Sequence, residues 1–138
     1  MNRYERWHGR IVWLGIILNM FFVFPLVFAP GWILGLLNIP LDQLIWARAS
    51  GMLLFIISVF YIPSTWDLKR YRATAWIAIF PSRTFGATFF FLAVLLFGQP
   101  KGFLSIAIVD AFIGITTLIL LLLVTREENM SGHPVALK

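Results

Sequence analysis

The sequence predicts an all-α membrane protein, an antiparallel bundle of four transmembrane helices. Three observations lead to that prediction. The 138 residues are 60% hydrophobic and 12% charged, with a mean hydropathy of +0.88, which is too little polar material to cover a soluble globule of this size. The long apolar runs are apolar all round, whereas the helices of soluble bundles alternate apolar and polar stripes. Four such runs follow one another, separated by proline, glycine or charged residues.

The first run, Ile11 to Phe28, follows a basic segment, and its helix is expected to begin within Tyr4 to Arg10. It is long, aromatic-rich and ends in Ala29-Pro30-Gly31 instead of a small-residue cleavage site, so it reads as a retained helix and not a cleaved leader. Pro25 withholds a backbone donor and is expected to bend its outer end. Ala29 to Pro40 is apolar but too broken by Pro and Gly to span, and reads as a short interfacial or re-entrant segment between helices 1 and 2. The second span covers about Leu44 to Ile62 and stops at Pro63-Ser64-Thr65. The third covers about Ala73 to Phe97, with Pro81 a point where it can kink, and ends at Gly98-Gln99-Pro100. The fourth covers about Gly102 to Val124 and closes at Arg126-Glu127-Glu128. At ~1.5 Å per residue, each is long enough for a ~30 Å hydrocarbon core. The transmembrane domain is thus 1–128, and the polar tail 129–138, with Gly132 and Pro134, is expected to be disordered.

Lysine and arginine in short connections set orientation. Arg3, Arg6 and Arg10 precede the first span, Lys69, Arg70 and Arg72 join the second to the third, and Arg126 and Lys138 follow the fourth. The other face offers Lys101. Both termini are therefore expected in the cytoplasm, with the chain in a plasma membrane or bacterial inner membrane. Trp7, Trp13, Trp66 and Trp76 would sit near the inner boundary, Trp32 and Trp46 near the outer one.

Composition also excludes chemistry. Without cysteine there is no disulfide, thiolate metal site, iron–sulfur cluster or cysteine nucleophile. Haem in a helical bundle needs axial histidine, and His8 and His133 lie in opposite terminal segments outside the predicted spans, where both read as solvated surface residues. No haem or metal is expected. The serines and threonines of the spans, among them Ser50, Ser58, Ser82, Thr84, Thr88, Thr116 and Thr117, are expected to bond their own helix carbonyls. Phe85, Phe89, Phe90 and Phe91 are expected to face lipid. The net charge of +5 flanks apolar segments, so membrane lipids are the expected partners and nucleic acid is not. Other membrane subunits or a second copy of the chain are further partners that such a surface allows.

Arg48, Arg83 and Asp110 are the ionisable residues inside the spans, accompanied by the polar Asn19. A charge in mid-membrane costs at least roughly 2.5 kcal/mol, so each is expected to face protein or water and to seek a partner. Small and polar residues mark the internal faces: Gly15 and Asn19 on the first helix, Ala47, Gly51, Leu54 and Ser58 on the second, with Arg48 at the edge. Arg83, Gly86, Ala87 and Phe90 do so on the third, and Ala107, Asp110, Gly114 and Thr117 on the fourth. Asp110 is expected to pair with Arg48, Arg83 or both. The cluster then either fixes the rotation of the helices or lines an outward-opening cavity for the head of a lipid or quinone-like molecule. In the second case, two arginines against one aspartate would leave a positive charge for a phosphate, carboxylate or carbonyl. A proton or ion path is a third reading.

Ala29-Pro30-Gly31-Trp32-Ile33-Leu34-Gly35-Leu36-Leu37-Asn38-Ile39-Pro40, Ala47-Arg48-Ala49-Ser50-Gly51, Tyr61, Asp67 and Asp110 together resemble the small four-helix bacterial membrane proteins grouped as DoxX-like. Some members are associated with membrane quinone oxidoreductases. The resemblance implies a non-catalytic accessory or scaffolding subunit of a membrane redox or lipid-handling complex. The alternatives are a self-contained lipid or quinone binder and a small lipid-modifying enzyme.

Overall fold

The computed structural model describes residues 2–132, all of them helix or short connections. Four helical stretches, Arg3–Phe28, Leu44–Trp66, Arg72–Phe97 and Phe103–Ser131, are long and apolar enough to cross a membrane. They pack as the expected four-helix bundle.

Helix α1 (Arg3–Phe28) begins well before the apolar run because Asn2 and Glu5 form a capping box. The Asn2 side chain accepts from the Tyr4 amide, and the Glu5 carboxylate accepts from the Asn2 amide. Pro25 leaves α1 helical as far as Phe28, where the Ala29 amide reaches back to the Pro25 carbonyl at 2.7 Å. The broken apolar segment forms a short helix, α2 (Pro30–Leu36), with Pro30 at its first position, where a missing N–H is harmless. Ile33 and Leu34 bury against Ala47 between α1 and α3.

The second span is α3 (Leu44–Tyr61) followed by the one-turn α4 (Pro63–Trp66). Pro63 therefore starts a turn where a stop is expected, again as a first-position proline. The third span kinks next to Pro81, as expected, and divides into α5 (Arg72–Ile77) and α6 (Thr84–Phe97) with a wide turn over Ala78–Arg83 between them. Phe80 is extended there (φ −123°, ψ 118°), and the Thr84 amide points to the carbonyls of Ile79 and Pro81. Helix α6 ends at Gly98, whose φ of 62° lies in the left-handed region that glycine adopts freely.

Helix α7 (Phe103–Ser131) outruns its expected end at Val124 and takes in the first residues of the polar tail. An Arg72–Glu128 ion pair (2.7 Å) and an Asn2–Glu127 hydrogen bond fasten its last turns to the start of α1 and α5. The rest of the tail, from His133, lies outside the described residues.

Helix α1 is central, packing on α3 along one side and on α7 along another, while α6 packs chiefly on α7. At the end of the bundle holding the chain start, Leu68, Ala75, Ile79, Leu121 and Val124 form one core, and Val12, Ile16, Tyr61 and Ala78 another. The α1–α3 seam is close because Gly51 has no side chain: a Cβ there would lie 2.9 Å from Leu26 Cβ and 3.0 Å from Val27 Cγ2. Phe21, Phe28, Trp46, Phe60, Leu95 and Phe97 are exposed over the outer surface, which suits lipid and not water.

Candidate functional site

Arg83 is the last residue of the wide turn, and the break in the third span carries it into the middle of the bundle. Its side chain is only 5% exposed. The guanidinium Nη1 donates to Asp110 Oδ1 of α7 at 2.5 Å and to Asn19 Oδ1 of α1 at 3.3 Å. Asn19 Nδ2 in turn donates to Ser58 Oγ of α3 at 2.9 Å, and Ser58 Oγ donates to the Leu54 carbonyl at 2.8 Å. The Tyr61 ring lies 5.4 Å from the guanidinium, and its hydroxyl meets Ser82 Oγ. Every span thus places at least one polar group in a single network.

Three glycines from three spans make the room. A Cβ on Gly15 would stand 2.8 Å from Arg83 Nη2, one on Gly86 2.9 Å from Asp110 Oδ2, and one on Gly114 3.0 Å from Arg83 Cβ. A buried ion pair needs close geometry to offset its desolvation, and these positions let the helices approach far enough to provide it.

Of the four residues expected to cluster, Arg83, Asp110 and Asn19 come together and Arg48 does not. Arg48 is exposed and makes no ion pair or hydrogen bond among the described residues. Its neighbour Ala47 occupies the buried stripe, and ~100° of helical rotation per residue turns Arg48 off it. With Arg48 elsewhere, the site holds one cation and one anion, and the positive charge in excess that two arginines would leave is missing.

The pair is sheltered unevenly. Asp110 has a side chain 19% exposed and opens, with Arg83, onto a cavity of about 250 Å³ between the third span and α7. Thr84, Thr88, Phe91 and Ala111 are among its other lining residues. A larger hollow of about 880 Å³ lies where the chain start meets the end of α7. Its acids are already engaged: Glu5 caps α1, Asp67 accepts from the Arg70 amide, Glu127 takes Asn2, and Glu128 pairs with Arg72. Among the described residues, no three His, Asp or Glu side chains gather as metal ligands.

His8 overturns its reading as a solvated surface residue. It is 1% exposed, and neither ring nitrogen has a protein hydrogen-bond partner. The cause is the capping box: once α1 starts at Arg3, His8 joins the stripe of Val12, Gly15 and Asn19, all buried. That spacing of four, three and four residues was visible in the sequence, and with the expected helix start within Tyr4 to Arg10 it could have placed His8 on the buried stripe. Ser50, Ser58, Thr116 and Thr117 do bond their own helix carbonyls, whereas Ser82 turns to Tyr61. Phe85 and Phe89 are exposed as expected, Phe90 stacks on Phe103 at 5.3 Å, and Phe91 lines the cavity.

The fold and the site define a class: a four-helix bundle of membrane type, pinned by an interhelical Arg–Asp pair. Compared with family models, curated proteins and solved structures, the chain matches none.

Proposed function

We propose that this chain is a multi-pass membrane protein, both termini cytoplasmic, that binds a lipid-soluble amphiphile in the groove between its third span and α7. The supporting observation is the partial exposure of the Asp110 carboxylate onto that groove while Arg83 behind it is buried. A carboxylate held ionised by an arginine still has free lone pairs, and it accepts a hydrogen bond from whatever donor reaches it. Since the pair is neutral overall, an anionic head would meet no net attraction. A hydroxyl head fits, as in a quinol or a diacylglycerol, with Thr84 and Thr88 beside it. The cavity's ~250 Å³ is below the usual range for a whole drug-sized ligand, so it suits a ring or glycerol head whose chain trails into lipid. The role is binding, with the chain either acting alone or presenting the ligand to a larger membrane complex.

The test is native mass spectrometry and solvent extraction of gently purified protein, comparing wild type with Ala111→Phe, which places a bulky ring at the wall of the groove. Retention of a hydroxyl-bearing hydrophobe by wild type and its loss in Ala111→Phe is the expected result. Equal lipid content in both would sink the proposal. A protein subunit retained in place of any small molecule would favour the accessory-subunit reading.

A further inference from the structure

His8 is a buried side chain with both ring nitrogens unpartnered among the described residues, and beside it lies a small void. The void measures about 10 Å³ and is lined by His8, Val12, Tyr61, Ala75, Ala78, Arg83, Ile113 and Thr117. That is about the room one water molecule needs, and such a water must find two to four polar partners to be stable. Partners are present. A neutral imidazole offers one acceptor and one donor, and both His8 nitrogens are unused. Arg83, which meets Asp110 and Asn19 through Nη1, lines the same void. Tyr61 and Thr117 supply hydroxyls at the same wall.

Leaving these groups dry would be costly. An unsatisfied buried polar group costs ~1–3 kcal/mol, and more where the group is charged. A void lined only by apolar side chains would stay empty; most of this wall is apolar, but His8, Tyr61, Arg83 and Thr117 bring polar groups to it.

We propose that a single water molecule fills this void and bridges His8 to Arg83, so that the polar network opening at Asp110 continues inward and ends at His8. The inference is independent of any ligand in the groove, since the void lies on the inner side of Arg83. Around the void the charged and titratable groups are Arg83, Tyr61 and His8 itself, with Asp110 beyond Arg83. The bridge gives His8 a positioning role: it holds, through water, the side of the guanidinium that Asp110 does not.

Two measurements test this on the full chain in lipid nanodiscs. In protein labelled with ¹⁵N-histidine and carrying His133→Gln, the His8 ring nitrogens should show magnetisation transfer to a slowly exchanging water. A ring without any water contact overturns the proposal. Independently, His8→Leu and His8→Gln should be compared by thermal unfolding. If the void is dry, removing an orphaned imidazole relieves a penalty and His8→Leu unfolds at a higher temperature than wild type. If water bridges, His8→Leu removes one anchor of the bridge and lowers the midpoint by roughly 3 °C or more, while His8→Gln, which keeps an acceptor, recovers part of the loss. A rise with His8→Leu overturns the proposal even where the spectra are too weak to read.

Discussion

Arg83 Nη1 stands 2.5 Å from Asp110 Oδ1, and Arg83 is the partner on which Asp110 depends. Asp110→Asn therefore strands a buried guanidinium that keeps only Asn19 as protein partner. Breaking such a pair by removing one member costs roughly 3–5 kcal/mol. Thermal unfolding in detergent should show a large fall for Asp110→Asn and little change for the exposed Ile119→Ala. Adding Arg83→Gln to Asp110→Asn should restore part of the stability, since both charges then leave together. An unchanged midpoint in Asp110→Asn would remove any role for the pair.

Arg48 supplies the matching control. It is exposed and outside the network, so Arg48→Gln should leave stability within about 0.5 kcal/mol of wild type. Combined with Asp110→Asn, its effect should be additive within about 0.5 kcal/mol. A coupling energy above 1 kcal/mol would mean that the two side chains meet.

How far the site could be read from sequence is clear from these two arginines. Depth alone leaves both within reach of Asp110, because an arginine side chain spans a helical turn or more. What separates them is the face, and spacing did not decide it: Arg48 and Gly51 are three residues apart, as are Arg83 and Gly86, and only in the structure does Ala47 take the buried position and leave Arg48 exposed. The spans were legible because their apolar runs end at Pro and Gly. The early start of α1 was legible as well, lying at Arg3 against an expected Tyr4 to Arg10, and a helix begun that early puts His8 on the buried stripe. The end of α7 was not, because the Arg72–Glu128 pair holds it helical through polar sequence. The break at Phe80 agrees with Pro81, whose ring disfavours helical backbone at the residue before it.

The glycines around the pair should resist substitution in order of what a methyl would strike. Gly15→Ala would bring a Cβ to 2.8 Å from Arg83 Nη2 and 2.9 Å from Ile113 Cγ2, and overpacking of this kind costs roughly 1–3 kcal/mol. Gly35→Ala on α2 meets nothing within 4 Å, so the higher helix propensity of alanine should make it neutral or stabilising by up to ~1 kcal/mol. If both alanine variants unfold at the wild-type midpoint, the helices are not as close as the glycines indicate.

The last turns of α7 should fray when their anchor is cut. The Arg72–Glu128 pair is about a quarter exposed on each side (30% and 26%), so its worth is modest, at most ~1 kcal/mol. Its effect should be local: Glu128→Gln should speed amide exchange over Thr125 to Ser131 severalfold while leaving exchange around Asp110 unchanged. Hydrogen exchange read by mass spectrometry distinguishes this from global loss, which would speed exchange everywhere.

An even number of spans puts the start of α1 and the end of α7 on one side, and the Asn2–Glu127 hydrogen bond ties them there. Which side faces the cytoplasm is set by charge. Arg3, Arg6, Arg10, Lys69, Arg70, Arg72 and Arg126 gather at this end, and Lys101 is alone at the other. Lysine and arginine in short flanks are retained on the cytoplasmic side during insertion. Single cysteines are easily read in a chain that has none of its own. Asn38→Cys in the α2–α3 connection and Ser131→Cys at the end of α7 are both exposed positions, so access to reagent depends only on the side of the membrane. In intact cells an impermeant maleimide should label Asn38→Cys and spare Ser131→Cys, and lysis should make both reactive. Labelling of Ser131→Cys alone in intact cells would invert the topology.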